Sequence, residues 1–145
     1  MTDSEETPQE NEEQLKYPDV VEPVLDLDLR LLVLMVNTEE NRGTSVSITL
    51  HVPGGLVSGE LIGREDYLDR LDRVASGAGM SGIVGFRRKA AEVLREAGVR
   101  KTDDLPRWIH LQDAAVVGPN GRLLTFPVWR GRLADVAGWS LGAFR

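Results

Sequence analysis

From Val24 to Val36 the chain alternates apolar with polar residues through Val24-Leu25-Asp26-Leu27-Asp28-Leu29-Arg30, then becomes apolar throughout as Leu31-Leu32-Val33-Leu34-Met35-Val36. A strand and a buried helix compete for such a pattern. Leu and Met favour the helix, Asp26 and Asp28 fall at its positive end, and the polar run Asn37 to Gly43 stops it, so a helix is predicted. From Ser45 the period changes. Val46, Ile48, Leu50 and Val52 alternate with Ser47, Thr49 and His51, the mark of a half-buried strand rich in β-branched residues. Pro53-Gly54-Gly55 turns it, and Leu56 to Gly63 returns as its hairpin partner. Gly59 inside the returning strand calls for a bulge or a close backbone approach.

After Gly63 the apolar positions take helical spacing. Tyr67, Leu68, Leu71, Val74 and Ala75 share one face of a first helix, and a glycine-rich loop from Gly77 to Gly82 ends it. A second helix from about Ile83 is expected to bury Ile83, Phe86, Ala90, Val93, Leu94 and Ala97 and to end at Gly98. Strands then follow over about Arg107 to Val117, Arg122 to Leu133 and Trp139 to Phe144, the first two joined by Gly118-Pro119-Asn120-Gly121. Pro127 requires an edge or a bulge. Five short, glycine-broken antiparallel strands predict an α+β fold: a small five-stranded SH3- or Sm-like β-barrel, with an N-terminal helix and a two-helix insertion between strands 2 and 3.

Charge divides the chain. Residues 1–22 hold eight acids against the single base Lys16, a net of −7, whereas residues 23–145 carry a net of +1. A segment so polar cannot bury enough surface to offset its ordering entropy, so residues 1–22 are expected to form a disordered acidic tail and residues 23–145 a single domain. The 145-residue length suits one core, and the absence of cysteine excludes disulfides and thiolate chemistry. An acidic N-terminus is no signal peptide, and no apolar run reaches membrane-spanning length, so a soluble cytoplasmic protein without membrane contact is expected.

No catalytic constellation emerges. Gly77-Ala78-Gly79-Met80-Ser81-Gly82 matches G-x-G-x-x-G but follows a helix instead of a parallel strand, and so reads as an inter-helix loop. His51 and His110 lack the third donor a metal needs, and are read as surface or barrel-rim hydrogen-bonding residues. Ser140 in Gly138-Trp139-Ser140-Leu141-Gly142 has no downstream Asp and His to form a hydrolase triad. Neither a cofactor nor a metal site is expected. The strongest positive feature of the domain is Arg87-Arg88-Lys89, followed by Arg95, Arg100, Lys101 and Arg107. All three tryptophans fall in the last third of the chain. Trp108 is expected to pack in the barrel, and Trp129 and Trp139 to border a partner surface with Arg130 and Arg132.

Three stretches together resemble the gas vesicle accessory protein U family. They are Ser47-Ile48-Thr49-Leu50-His51-Val52-Pro53-Gly54-Gly55-Leu56-Val57-Ser58-Gly59-Glu60-Leu61-Ile62 followed by Tyr67, then Trp108-Ile109-His110-Leu111, then Trp129-Arg130-Gly131-Arg132-Leu133-Ala134-Asp135-Val136-Ala137-Gly138-Trp139-Ser140-Leu141-Gly142. The resemblance runs from about Leu25 to the C-terminus. It implies a non-enzymatic accessory protein associated with gas vesicles, which assists their assembly or clustering and has the shell or other accessory proteins as partners. Combined with the residues, it yields an expected partner surface of Arg87, Arg88, Lys89, Trp129, Arg130, Arg132 and Trp139, with self-association through acidic tails meeting the basic helix face. The alternative is an Sm-like or OB-like module binding single-stranded nucleic acid through basic and aromatic surface. An acidic tail on a nearly neutral domain disfavours it, because both would resist a phosphate backbone.

Overall fold

The computed structural model describes residues 26–98 and 106–144, the side chains of residues 81–87 excepted. The acidic segment 1–22, together with Arg100, Lys101, Asp103 and Asp104, lies outside the described residues. β1 (Val46–Val52) and β2 (Gly55–Ile62) form the expected hairpin in register Val46↔Leu61 to Val52↔Gly55. Pro53 and Gly54 make the turn, Gly54 taking φ +87°, a conformation open to glycine at no steric cost. β3 (Trp108–Val117) and β4 (Leu123–Arg132) form a longer hairpin, and β5 (Gly138–Leu141) adds to β1.

All pairings are antiparallel, in the spatial order β4-β3-β2-β1-β5. Among the described residues the five expected strands and the two-helix insertion are present, but the strands form one open sheet with β4 and β5 as its edges, not a closed SH3- or Sm-like barrel. Closure needs strands coiled far enough for the first and last to meet. Here β5 is only four residues long and extends the sheet outward from β1.

The predicted irregularity at Gly59 is a bulge. Ser58 pairs with Ala115 and Glu60 with Gln112, so Gly59 faces an extra residue in β3, where Asp113 takes φ +50°. A β-carbon on Gly59 would stand 2.9 Å from the Gln112 carbonyl oxygen and 3.2 Å from the Ala114 Cα. Pro127 lies in edge strand β4, between the pairs Gln112↔Val128 and Ala114↔Phe126, where an absent N–H is tolerated.

Helix α1 (Leu27–Val36) starts where the Asp26 carboxylate accepts the Leu29 N–H at 3.0 Å, an N-cap that satisfies an otherwise orphan donor. It ends against β2, with its Val36 carbonyl on Gly63 and the Asn37 side-chain oxygen accepting the Arg64 N–H at 2.8 Å. Leu29, Val33 and Val36 meet Ile48, Leu50, Val57, Leu61, Ile109, Leu111, Ala114 and Leu133 in one core. Burial of each large aliphatic side chain contributes about 2 kcal/mol. The segment expected to be buried throughout is buried on this face only. Leu27, Leu31, Leu34 and Met35, at i, i+4, i+7 and i+8, point away from the sheet and are exposed.

Helices α2 (Arg64–Gly77) and α3 (Ser81–Glu96) fill the interval between β2 and β3. The glycine-rich stretch is the turn between them, Gly79 taking φ +75°. α2 packs on β3 and β4. Its partners place it on the sheet face opposite α1, because Tyr67 touches His110 and Arg70 touches Gln112, whereas Ile109 and Leu111 point to the core. Arg70 donates to Gln112 Oε1 and Asp113 Oδ1, both at 2.7 Å, and Arg42 holds Asp66 and Asp69, each at 3.0 Å. α3 packs chiefly on α2 and has no comparable share of the sheet. Val93, Leu94 and Ala97, expected to be buried, are therefore exposed.

Candidate functional site

The family-like segment Trp129-Arg130-Gly131-Arg132 ends β4 and pairs with the opening of β3, Trp108 opposite Arg132 and His110 opposite Arg130. Residues 108, 110, 130 and 132 share the sheet face that α2 covers in part. At the rim of that face the Arg130 guanidinium lies over the Trp108 ring, 4.1 Å from its centroid. Trp108 is 41% exposed, so the expected packing of this residue in the core does not occur. It opens β3 where none of the described helices covers it. Arg132 grips Asp135 in two hydrogen bonds of 2.9 and 3.1 Å.

One residue inward, His110 is 3% exposed under the Tyr67 ring, with centroids 4.5 Å apart and planes at 39°. This overturns its expected place on the surface or a barrel rim, because α2 folds over that face. Burial, with the nearby charges of Arg130 and Arg64 acting in the same direction, pushes the imidazole pKa down to about 4 from 6.5. Its Nδ1 has no hydrogen-bond partner among the described residues. The arrangement can hold a neutral ring and present two cations beside an aromatic face. Among the described residues it brings no nucleophile or carboxylate against the histidine that would make a catalytic pair. Among the described residues no three His, Cys, Asp or Glu side chains gather as metal ligands.

The other expected surface residues separate. Trp129 and Trp139 are half-buried and pack against the core. Trp129 faces Leu111 and folds its ring across Gly131, and Trp139 pairs with Leu50 and lies near the Asp26 carboxylate. That carboxylate is held below its ordinary value mainly by the Leu29 N–H and secondarily by Trp139. Arg88 and Lys89 are exposed on α3, and the Arg87 side chain lies outside the described residues. The structure thus joins Arg130 and Arg132 with Trp108 at the sheet rim, a tryptophan that residue order alone assigned to the interior. It also uncovers the α1 stripe, whose signal was the apolar run that leaves no polar face.

The two best-formed concavities are shallow. One of about 300 Å³ is lined by Asp113, Ala114, Thr125, Phe126 and Pro127, and one of about 130 Å³ by Gly43, Ile62, Asp66, Asp69, Arg73 and Gln112. Small-molecule sites are usually deeper and more apolar, at roughly 300–1,000 Å³. Exposed apolar and aromatic surface is the more prominent feature. Among the described residues no helix is long and apolar enough to cross a membrane. Compared with known proteins, residues 28–144 match the family described as "Gas vesicle protein GvpU-like". No curated protein matches the chain.

Proposed function

Because the chain belongs to the GvpU-like family of gas vesicle proteins, we propose that it is a non-enzymatic accessory protein that docks on a gas vesicle component in the cytoplasm and assists vesicle assembly or clustering. The observation that carries this reading is the extent of the family match, which spans α1, the whole sheet and the insertion. The surface supports it. Leu27, at 65% exposed, and Met35, at 57%, bracket an apolar stripe on α1 that the chain's own sheet leaves uncovered. Clustered apolar exposure of this kind marks contact surfaces on folded proteins. Docking through α1 replaces the expected contact through Trp129 and Trp139, whose rings serve the core. The nucleic-acid alternative drew its force from a small closed barrel, and the open sheet removes that premise.

The test is co-flotation of the full chain with isolated gas vesicles. The protein is expected in the floating layer, and Leu27→Ser with Leu31→Ser is expected to leave most of it in the subnatant. A wild-type chain that stays in the subnatant overturns the docking. Undiminished flotation of the double variant moves the contact away from α1.

A further inference from the structure

Arg130 is held ready for an anion. Its guanidinium is fixed by stacking on Trp108, 4.1 Å from the ring centroid. The nearest alternatives are already engaged: Arg132 by the bidentate Asp135 pair, and Arg70 by Gln112 and Asp113. Arg64, the second cation near His110, pairs among the described residues with adjacent Glu65 at 3.4 Å, both side chains being half exposed. A pair so long and so wet contributes little and leaves the charge available. Two guanidinium groups therefore flank a buried neutral imidazole, beside an aromatic face open to solvent.

A ligand that suits this rim carries several carboxylates along an extended backbone, because the cations are separated and one is planar and stacked. The chain itself contains such a ligand: Asp3, Glu5, Glu6, Glu10, Glu12 and Glu13, within a segment of net charge −7. We propose that this acidic N-terminal run binds in cis across the Trp108–Arg130–Arg64 rim. Reach permits it. Asp26 lies near Trp139 of β5; the four strand spacings from β5 to β4 amount to about 19 Å, and passage to the opposite face of the sheet adds about 10 Å. The 13 residues from Glu13 to Asp26 span up to about 45 Å when extended. A tether of this length places the carboxylates at about millimolar effective concentration. The acidic run is then an internal competitor for any acidic partner of the rim. This site differs from the helix-face contact expected from composition, since among the described residues Arg88 and Lys89 on α3 stack on no aromatic ring.

The test uses the full chain and a second full-length protein in which those six acids are replaced by Gln or Asn. The probe is a fluorescein-labelled synthetic peptide of residues 1–16, read by anisotropy at about 50 mM and about 500 mM salt. The peptide is expected to bind the neutralised protein about tenfold more tightly than the wild type, whose own run occupies the rim, with the advantage shrinking at the higher salt. In the neutralised background Arg130→Glu should cost about tenfold in affinity and Arg88→Glu less than about twofold. If circular dichroism shows that Arg130→Glu is unfolded, Arg64→Glu takes its place with the same expectation. Equal binding to wild-type and neutralised proteins overturns the proposal. So does a loss with Arg88→Glu that the rim variants do not show. The measurement needs no gas vesicles, so its outcome is independent of co-flotation.

Discussion

Replacing His110 by Phe should remove a specific part of the protein's acid sensitivity. Phe keeps a ring against Tyr67 at a position 3% exposed and deletes an Nδ1 that has no partner among the described residues. The native state holds the imidazole neutral down to about 4, whereas the unfolded chain titrates near 6.5. Between those values the unfolded state binds more protons, so stability is full above about pH 6.5 and falls as pH drops toward about 4. The interval corresponds to at most about 3 kcal/mol, of which about 2 kcal/mol is already lost at about pH 5. For a domain of roughly 5–15 kcal/mol that is a large fraction. Urea denaturation of both proteins at about pH 7.5 and about pH 5, followed by tryptophan fluorescence, measures it. Carboxylates titrate in both proteins and cancel in the difference. The wild type should lose about 2 kcal/mol more than His110→Phe over this range. Parallel losses, within about 0.5 kcal/mol, would refute a buried neutral His110.

Gly131→Ala should lower the thermal midpoint, because a β-carbon there enters the space of the Trp129 ring; displacing that ring should cost about 1–3 kcal/mol. Leu50→Ala, in the centre of the core, should cost about 2–5 kcal/mol in urea denaturation. Leu31→Ser, on the outer face of α1, should stay within about 0.5 kcal/mol of the wild type while reducing flotation, so stability and docking separate by face. Asp26→Ala should lower the melting temperature at neutral pH by removing the α1 cap. That deficit should shrink as pH falls below the carboxylate's ordinary 3.8, since the cap's stabilisation is lost from the wild type as well when Asp26 protonates.

Local periodicity made the elements legible, and contacts distant in sequence decided the rest. Alternation over Val46 to Val52, the Pro53-Gly54 turn and the glycine inside β2 specify a bulged hairpin through chemistry within a few residues. Pro127 likewise announces an edge or bulge, and it occupies an edge strand opposite the displaced Asp113. Barrel closure was not legible, because it depends on where β5 lies, and a four-residue strand carries no signal for which edge it joins. His110 has a surface pattern by alternation yet is buried, since a strand's second face is wet only if nothing folds over it, and α2 does. Trp108 errs in the opposite direction. Large aromatics are mostly interior, but this one opens its strand at a rim and receives Arg130 in place of a core. The α1 stripe is in plain view as an apolar run, and such a run predicts full burial, though one open sheet can cover only one side of a helix.

That one-sidedness has a mechanical consequence for the two surfaces. The α1 stripe stands over the face formed by Leu50, Leu61 and Leu111, and the Arg130 rim belongs to the face of His110. The sheet separates them, so a partner on α1 and an acidic segment on the rim can be held at once. Their physics also differs. Apolar contact persists or strengthens in salt, whereas exposed charge pairs weaken as the screening length falls from about 10 Å at 0.1 M to about 3 Å at 1 M. Raising salt toward about 1 M should therefore free the rim for a neutral probe of Trp108, such as acrylamide quenching, while the protein remains with the floating vesicles. Leu31→Ser should do the converse, releasing the protein from vesicles with quenching unchanged. Salt that strips the protein from the vesicles would mean that docking is electrostatic and runs through the rim, with α1 covered by something else.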